Sequence, residues 1–421
     1  MGEPMSVSVT FPQLDDRGRA YVTWRPVEIT LASSPPVPGG TPLEVTVSAR
    51  TLTGGGRMLF ADRLTHAGAP SLDITLPVDG SGTTVWAGGA FPNASTRFGD
   101  VIVEVRDRTA GTLLGSRPTM VRIRKDANRL TSAERGRFLR AMAILNGSAS
   151  GRFTDFRDMH VAGPPDREAH GGPGFLPWHR IYLLDLEREL QAIDGQVALP
   201  YWRFDAAAPN VFTRSFMGVS GPQDRVQFTP TNPLSAWVAA SLPGVERGPG
   251  VGPQTVPAVR TEQETLALGG SPAADFAPFA IMQGNPHGRA HTSHLSGVIT
   301  DPGTAPQDPL FFLLHCNVDR LWAKWQWAFR RHDPAVARAF VPGSTRAGHR
   351  LADRLWPWSG PLAAPRPTTA PGGALSPSPM TAAPGSSPRI RDTIDYLGSV
   401  SDTHLGFAYD DVPFQLTGGT P

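Results

Sequence analysis

The sequence predicts a multidomain chain: an N-terminal antiparallel β-sandwich over residues 1–126, followed by a mainly α-helical domain over residues 127–421. Three observations predict it. Residues 1–126 break into short runs rich in Val, Thr and Ile, separated by Gly, Pro and Ser. Beyond Asp126 the apolar residues recur at helical spacing. Histidines are nearly absent from the first part and fall in two tight groups in the second. A length of 421 residues is also more than one small domain uses.

In the first part, residues 6–11, 20–24, 27–31, 43–49, 57–63, 72–77, 101–106 and 120–124 read as strands with partial alternation. That spacing suits a sandwich. Its single histidine, His66, carries no constellation. Then Thr131-Ser132-Ala133-Glu134 forms a capping box at a helix start, and Phe138, Leu139, Met142 and Leu145 follow at helical spacing. A second helix carries Phe153, Phe156 and His160. A third runs from Leu176 or Pro177 to about Ile193, with Pro177 tolerable in its first turn. Residues 209–274 read as loop with a short helix near 234–242. A fourth helix is expected to hold His287 to His294, and a fifth to start after Asp308-Pro309 and continue to about Arg331. Residues 361–388, rich in Pro, Ala, Ser, Thr and Gly, read as a mobile excursion.

Composition excludes several classes. Hydrophobic residues are 40% and charged residues 18%, a globular balance. A net charge of +2 with scattered signs gives no footprint for nucleic acid or a membrane surface. One cysteine, Cys316, permits neither an intrachain disulfide nor a thiolate metal cluster. No secretory signal or transmembrane run is visible, so a cytoplasmic location is expected.

His160, His170 and His179 lie within 20 residues, and His287, His291 and His315 within 29. Each group offers three imidazoles to one metal. On a helix, residues four apart share a face, so His287 and His291 can converge on one ion. Imidazole-only coordination suits Zn, Cu, Fe or Ni, so spacing by itself yields a histidine-rich metal site. His294, three residues past His291, competes for the second group.

The stretch Ala169-His170-Gly171-Gly172-Pro173-Gly174-Phe175-Leu176-Pro177-Trp178-His179-Arg180 resembles the first copper motif of the tyrosinase and catechol oxidase (polyphenol oxidase) family. Asp308 to Trp322, with His315-Cys316-Asn317-Val318-Asp319-Arg320, resembles the second. Pro286-His287-Gly288-Arg289-Ala290-His291, Pro200-Tyr201-Trp202 and Leu405 to Asp411 fit three further anchors, in the right order over roughly residues 127–414. The resemblance implies a four-helix bundle holding a type 3 dicopper centre. His160, His170 and His179 would bind one of two copper ions, and His287, His291 and His315 the other. It also implies O₂ and a phenolic or catecholic small molecule as reactants, with an o-quinone-type product. The alternative it leaves is a hemocyanin-like carrier that binds O₂ without turnover. Homo-oligomer formation stays open.

Asp319, four residues after His315, either accepts a hydrogen bond from a ligand imidazole or forms a helix salt bridge with Arg180 or Arg320. Phe311 or Phe312 is expected to pack on the ligand rings. Four positions depart from the commonest family pattern. Gly288 stands where relatives carry Asn. Gln283 or Met282 stands where a Glu is expected, and a neutral amide is no general base. Leu314 replaces a histidine. Glu168 stands where some relatives place a cysteine that cross-links to a ligand histidine. The first two lower the expectation of monophenol hydroxylation and favour catechols or o-aminophenols.

Overall fold

A computed structural model of the chain describes residues 5–148, 151–161, 168–239, 242–250, 252, 254–270, 275–294, 296–341, 343–359 and 374–416. The chain divides into two compact units. One comprises Met1–Ile123, Ser378–Thr381 and Gly406–Pro421; the other comprises Arg124–Pro377 and Ala382–Leu405.

The first unit is β-rich. Its strands are β1 (Ser6–Thr10), β2 (Ala20–Val22), β3 (Val27–Ser34), β4 (Leu43–Thr51), β5 (Met58–Ala61), β6 (Ser71–Leu76), β7 (Thr83–Gly89), β8 (Val101–Asp107) and β9 (Leu113–Val121). They form one sheet in the order β1-β3-β7-β5 and another in the order β2-β9-β8-β4-β6. Alternation drives burial: Ile29 and Leu31 of β3, Val45 and Val47 of β4, and Val101, Val103 and Val105 of β8 are all buried. The expected all-antiparallel pairing fails at one place. β2 pairs with β9 in parallel, Ala20 opposite Thr119; a parallel pair needs a long connection, and these strands are far apart in the chain.

The sequence reading also missed β7 and placed β9 too late. In β7, Gly88 and Gly89 read as a turn, yet a Cβ on Gly89 would lie 2.5 Å from Val121 Cγ1 and 2.8 Å from the Trp24 ring, so the strand needs glycine to pass there. In β9, Gly115 and Pro118 masked the strand in the same way.

The end of the chain belongs to this β unit, not to the helical part as residues 127–421 were assigned. The Trp24 indole N–H donates to the Tyr409 carbonyl at 2.7 Å. Met380 packs with Tyr21 and Met120. The Arg122 guanidinium lies 4.5 Å from the Tyr21 ring centroid and donates to Met380 Sδ.

The second unit is helical: α1 (Ser132–Asn146), α2 (Arg152–Val161), α3 (Phe175–Ile193), α4 (Glu262–Leu266), α5 (Phe276–Phe279), α6 (Arg289–Thr292), α7 (Leu310–Phe329) and α8 (Ile390–Ile394). Thr131 caps α1 in the expected box, with the Glu134 N–H donating to Thr131 Oγ1 and the Thr131 N–H to Glu134 Oε2. α3 and α7 are buried over most of their surfaces, several of their charged side chains included. Among the described residues, no helix is long and apolar enough to cross a membrane.

Three expectations are corrected here. The helix expected over His287–His294 is broken. Asn285 has φ −146° and ψ 119°, Pro286 has no N–H to give, a wide turn carries Gly284–Gly288, and α6 spans only Arg289–Thr292. The short helix near 234–242 is a 3₁₀ turn, Pro233–Ala236, followed by the two-residue strands Val238–Ala239 and Leu242–Pro243. The excursion at 361–388 lies outside the described residues up to 373. From 374 on it is docked: Asp185 Oδ1 accepts from the Ser376 N–H, and Arg188 donates to the carbonyls of Ser376 and Ala383. Buried charges on α3 use this backbone as their partner, so its composition did not foretell its order.

Candidate metal centre

The helical unit gathers the six predicted histidines into two groups. His160 sits near the end of α2 and His179 in the first turns of α3, with His170 in the loop before α3. His287 lies in the wide turn before α6, His291 in α6, and His315 on α7. In each triad, His160/His170/His179 and His287/His291/His315, every residue presents one ring nitrogen within 4.8 Å of the others. Five of the rings are buried and His170 is partly exposed.

Local hydrogen bonds decide which nitrogen faces inward. A carbonyl can only accept, so an Nδ1 bonded to one must carry the proton. His160 Nδ1 donates to Pro302 O at 2.7 Å, and His179 Nδ1 to Phe175 O at 2.9 Å. His287 Nδ1 donates to Gln283 O at 2.7 Å, and His291 Nδ1 to Ile299 O at 2.8 Å. Burial, with neighbouring imidazoles adding to it, holds His160, His179, His287 and His315 well below the usual imidazole range. Burial takes His291 down to about 4, against the opposing pull of its Ile299 bond. The rings are therefore neutral, and at His160, His179, His287 and His291 the Nε2 atoms are bare lone pairs.

Those lone pairs converge. His160 and His179 Nε2 are 3.3 Å apart, His287 and His315 Nε2 3.3 Å, and His291 and His315 Nε2 3.1 Å. Two bare acceptor nitrogens, as at His160 and His179, repel at such a distance unless they share a cation. Nitrogens bound tetrahedrally to one first-row ion at about 2.0–2.1 Å stand roughly 3.3 Å apart. The donor set and its spacing fit a metal in each triad, and imidazole nitrogen suits copper.

The triads are neighbours. The His179 and His315 rings stack with centroids 4.3 Å apart and planes 8° from parallel. Phe311 lies 4.2 Å from His315, 5.0 Å from His160 and 5.8 Å from His291. Phe175 lies 4.7 Å from both His179 and His287. Both phenyl rings thus touch both triads and shut water from the ligand rings. Of the two phenylalanines named from the sequence, Phe311 plays this part; Phe312 packs on Phe153 and Tyr182 instead. Phe175 was overlooked, although its place four residues before His179 was a signal.

Other candidates resolve differently. Asp319 does not orient His315, whose Nδ1 makes no hydrogen bond. It pairs with Arg180 at 2.6 Å and Arg124 at 3.3 Å, the salt-bridge alternative. Carbonyls do the orienting at four imidazoles, and the sequence cannot display that. His294 is buried beside Trp202, centroids 5.9 Å apart, and among the described residues it joins neither triad. Leu314 and Cys316 are buried in α7. Glu168 Oε2 accepts from the Trp356 N–H at 3.4 Å.

No local pattern announced the segment that holds the His170 loop. Arg346 donates to Gly171 O at 3.0 Å, and His349 Nδ1 accepts from the Gly174 N–H at 2.9 Å. A Cβ on Gly172 would come within 2.7 Å of the His349 ring, so the loop needs glycine there.

Comparison with known proteins bears on the chain as a whole. Residues 150–328 match the model of the common central domain of tyrosinase. A tyrosinase of Streptomyces glaucescens is 33% identical over 266 residues, covering 56% of this chain and 92% of that one. Grixazone synthase of Streptomyces griseus subsp. griseus is 29% identical over 299 residues, covering 57% and 94%. A solved functional unit of octopus hemocyanin aligns with TM-score 0.44 at 20% identity, covering 68% of this chain and 70% of that one.

Proposed function

The chain belongs to the tyrosinase family of type 3 copper oxidoreductases, and from that premise we propose that it oxidises catechols and o-aminophenols in preference to monophenols. The family uses two copper ions, and O₂ and a phenolic compound are its reactants. In our reading His160, His170 and His179 hold one copper and His287, His291 and His315 the other. The two sheets of the β unit face each other as a sandwich, and α1, α2, α3 and α7 form the bundle around the metals.

Two coppers held by these triads would supply the redox chemistry between the phenolic substrate and O₂. The chain supplies the rest. Carbonyls of residues 175, 283, 299 and 302 hold four imidazoles in the Nδ1–H tautomer, so their lone pairs point at the metals without reorganisation. Phe175 and Phe311 keep the ligand rings dry. A catechol need only lose two electrons and two protons. A monophenol must first be deprotonated near the second triad, and that step needs a base.

The observation carrying the preference is that the segment leading to His287 offers no such base. Residues 276–286 contain no carboxylate. Gln283 is engaged through its carbonyl by His287. The Asn285 amide is spent on the Arg260 N–H and the Ala258 carbonyl. Gly288 adds no side chain.

The test is copper loading followed by turnover of tyrosine, its catechol counterpart and an o-aminophenol. The catechol and aminophenol should turn over well ahead of tyrosine, and Gly288→Asn should narrow the gap. Tyrosine turning over as fast as its catechol counterpart would refute the preference. Reversible oxygenation with no product from any substrate would favour a carrier.

A further inference from the structure

The two triads are carried largely by different elements, and α3 and α7 meet at a buried charge cluster. Arg180 directly follows His179 on α3. Asp319 lies one turn past His315 on α7, on the same face. Arg180 Nε donates to Asp319 Oδ1 at 2.6 Å, and both side chains are at most 1% exposed. The guanidinium has little freedom elsewhere. Its Nη1 donates to Gln326 Oε1 at 2.9 Å and to Thr393 O at 2.8 Å. Its plane is covered by Trp322 at 3.7 Å and Tyr396 at 4.6 Å. Arg124 ties the same two helices again, donating to Asp319 Oδ2 at 3.3 Å and to Glu187 Oε2 at 2.7 Å. Glu187, two turns beyond Arg180 on α3, also accepts from the Leu199 N–H at 2.8 Å.

Apolar helix faces can slide by fractions of an ångström at little cost, whereas a short ion pair cannot. Buried ion pairs add little net stability over apolar residues of equal volume, and their best-attested use is to fix register. The register fixed here is that of His179 against His315, whose rings stack at 4.3 Å across the boundary between the triads. We infer that the Arg180–Asp319 pair is a positioning device that sets the separation of the two triads, and so holds the two coppers close enough to act as one coupled unit. Neither residue touches a metal position; each acts through the helix that carries a ligand.

This inference rests on the dicopper reading above, and its test separates the two. Two Cu(II) ions close enough to share a bridging solvent ligand pair their unpaired electrons and give no EPR signal. Held apart, each gives its own. Wild type, Asp319→Asn and Arg180→Lys are loaded with Cu(II), freed of excess metal, assayed for bound copper, and examined by EPR. Asn preserves the shape and an acceptor oxygen of Asp319, and Lys preserves the charge of Arg180, so neither opens the cavity that truncation would.

Wild type is expected to bind two coppers per chain and be EPR-silent. The variants are expected to keep two coppers and show the signal of uncoupled Cu(II). Variants that keep two coppers and stay silent overturn the spacer role. Variants that lose copper or fail to fold overturn it too, since the pair would then build the sites rather than space them. Wild type that binds one copper, or two that are fully EPR-visible, overturns the dicopper reading itself.

Discussion

Removal of one imidazole should empty a triad. With His315→Ala, His287 and His291 face each other without a third donor, and bound copper should fall from two per chain to one or none by elemental analysis. His179→Ala should do the same at the first triad. Turnover should drop by at least about 100-fold in each, since even the partners behind metal ligands are worth roughly 10–100-fold. Full copper content in either variant would remove that residue from the site. The same rings give the metal-free chain a pH dependence. His291 is pushed down to about 4, as is the non-ligand His332, in both cases chiefly by burial. Above the ordinary imidazole value of about 6.5 these rings are neutral folded or unfolded, and the stability they permit is intact. As pH falls from about 6.5 to about 4, the unfolded chain takes up protons that the folded one refuses, and that stability is lost. The urea midpoint of the metal-free protein should decline across this window; a flat midpoint would mean that the imidazoles are solvated. At this scale the sequence was most legible. The six histidines and their grouping were all readable. What the sequence left open was Asp319, which takes the salt bridge with Arg180, because the acceptors at four imidazoles are carbonyls, which every residue has and no sequence distinguishes.

Elements were legible where one cause dominates and illegible where several compete. α1 was readable from its capping box and α7 from its apolar start, Leu310 to Leu314, after Asp308-Pro309, because each rests on local chemistry. The segment carrying His287 and His291 was read as helix from their four-residue spacing. It is a wide turn followed by one helical turn, broken at Asn285 and Pro286, yet their ring centroids still come within 4.7 Å. The spacing identified the neighbours but not the backbone that makes them neighbours. β7 and β9 were obscured by glycines, and β9 offers a direct test. A Cβ at Gly115 would lie 1.8 Å from the Val7 carbonyl oxygen. Backbone cannot yield as a flexible side chain does. Gly115→Ala should therefore displace β1 from β9 and destabilise the β unit by about 1–3 kcal/mol, the range for overpacking. Chemical denaturation would register this as a lower midpoint, and an unchanged midpoint would show that the two strands can part freely.

On the scale of the whole chain, the change of class near residue 126 was legible, because strand and helix periodicities differ. The return of the chain's last part to the β unit was not, because the bond from Trp24 to the Tyr409 carbonyl joins residues 385 positions apart and leaves no local pattern. The division has a thermodynamic consequence that can be measured. Every named α-helix and both histidine triads lie in the unit Arg124–Pro377 with Ala382–Leu405, so the ellipticity at 222 nm reports the unit that binds metal. Copper held by a folded triad stabilises that unit by mass action, about 2.7 kcal/mol at a free concentration one hundred times the dissociation constant. For a body of this size each kcal/mol is worth roughly 2–4 °C. Loading with copper should therefore raise the helical melting temperature by several degrees. His315→Ala should shrink that rise, measured against the variant's own metal-free melting point, which the lost packing on Phe311 and His179 lowers. A rise of equal size in the variant would mean that copper stabilises the fold from somewhere other than the two triads.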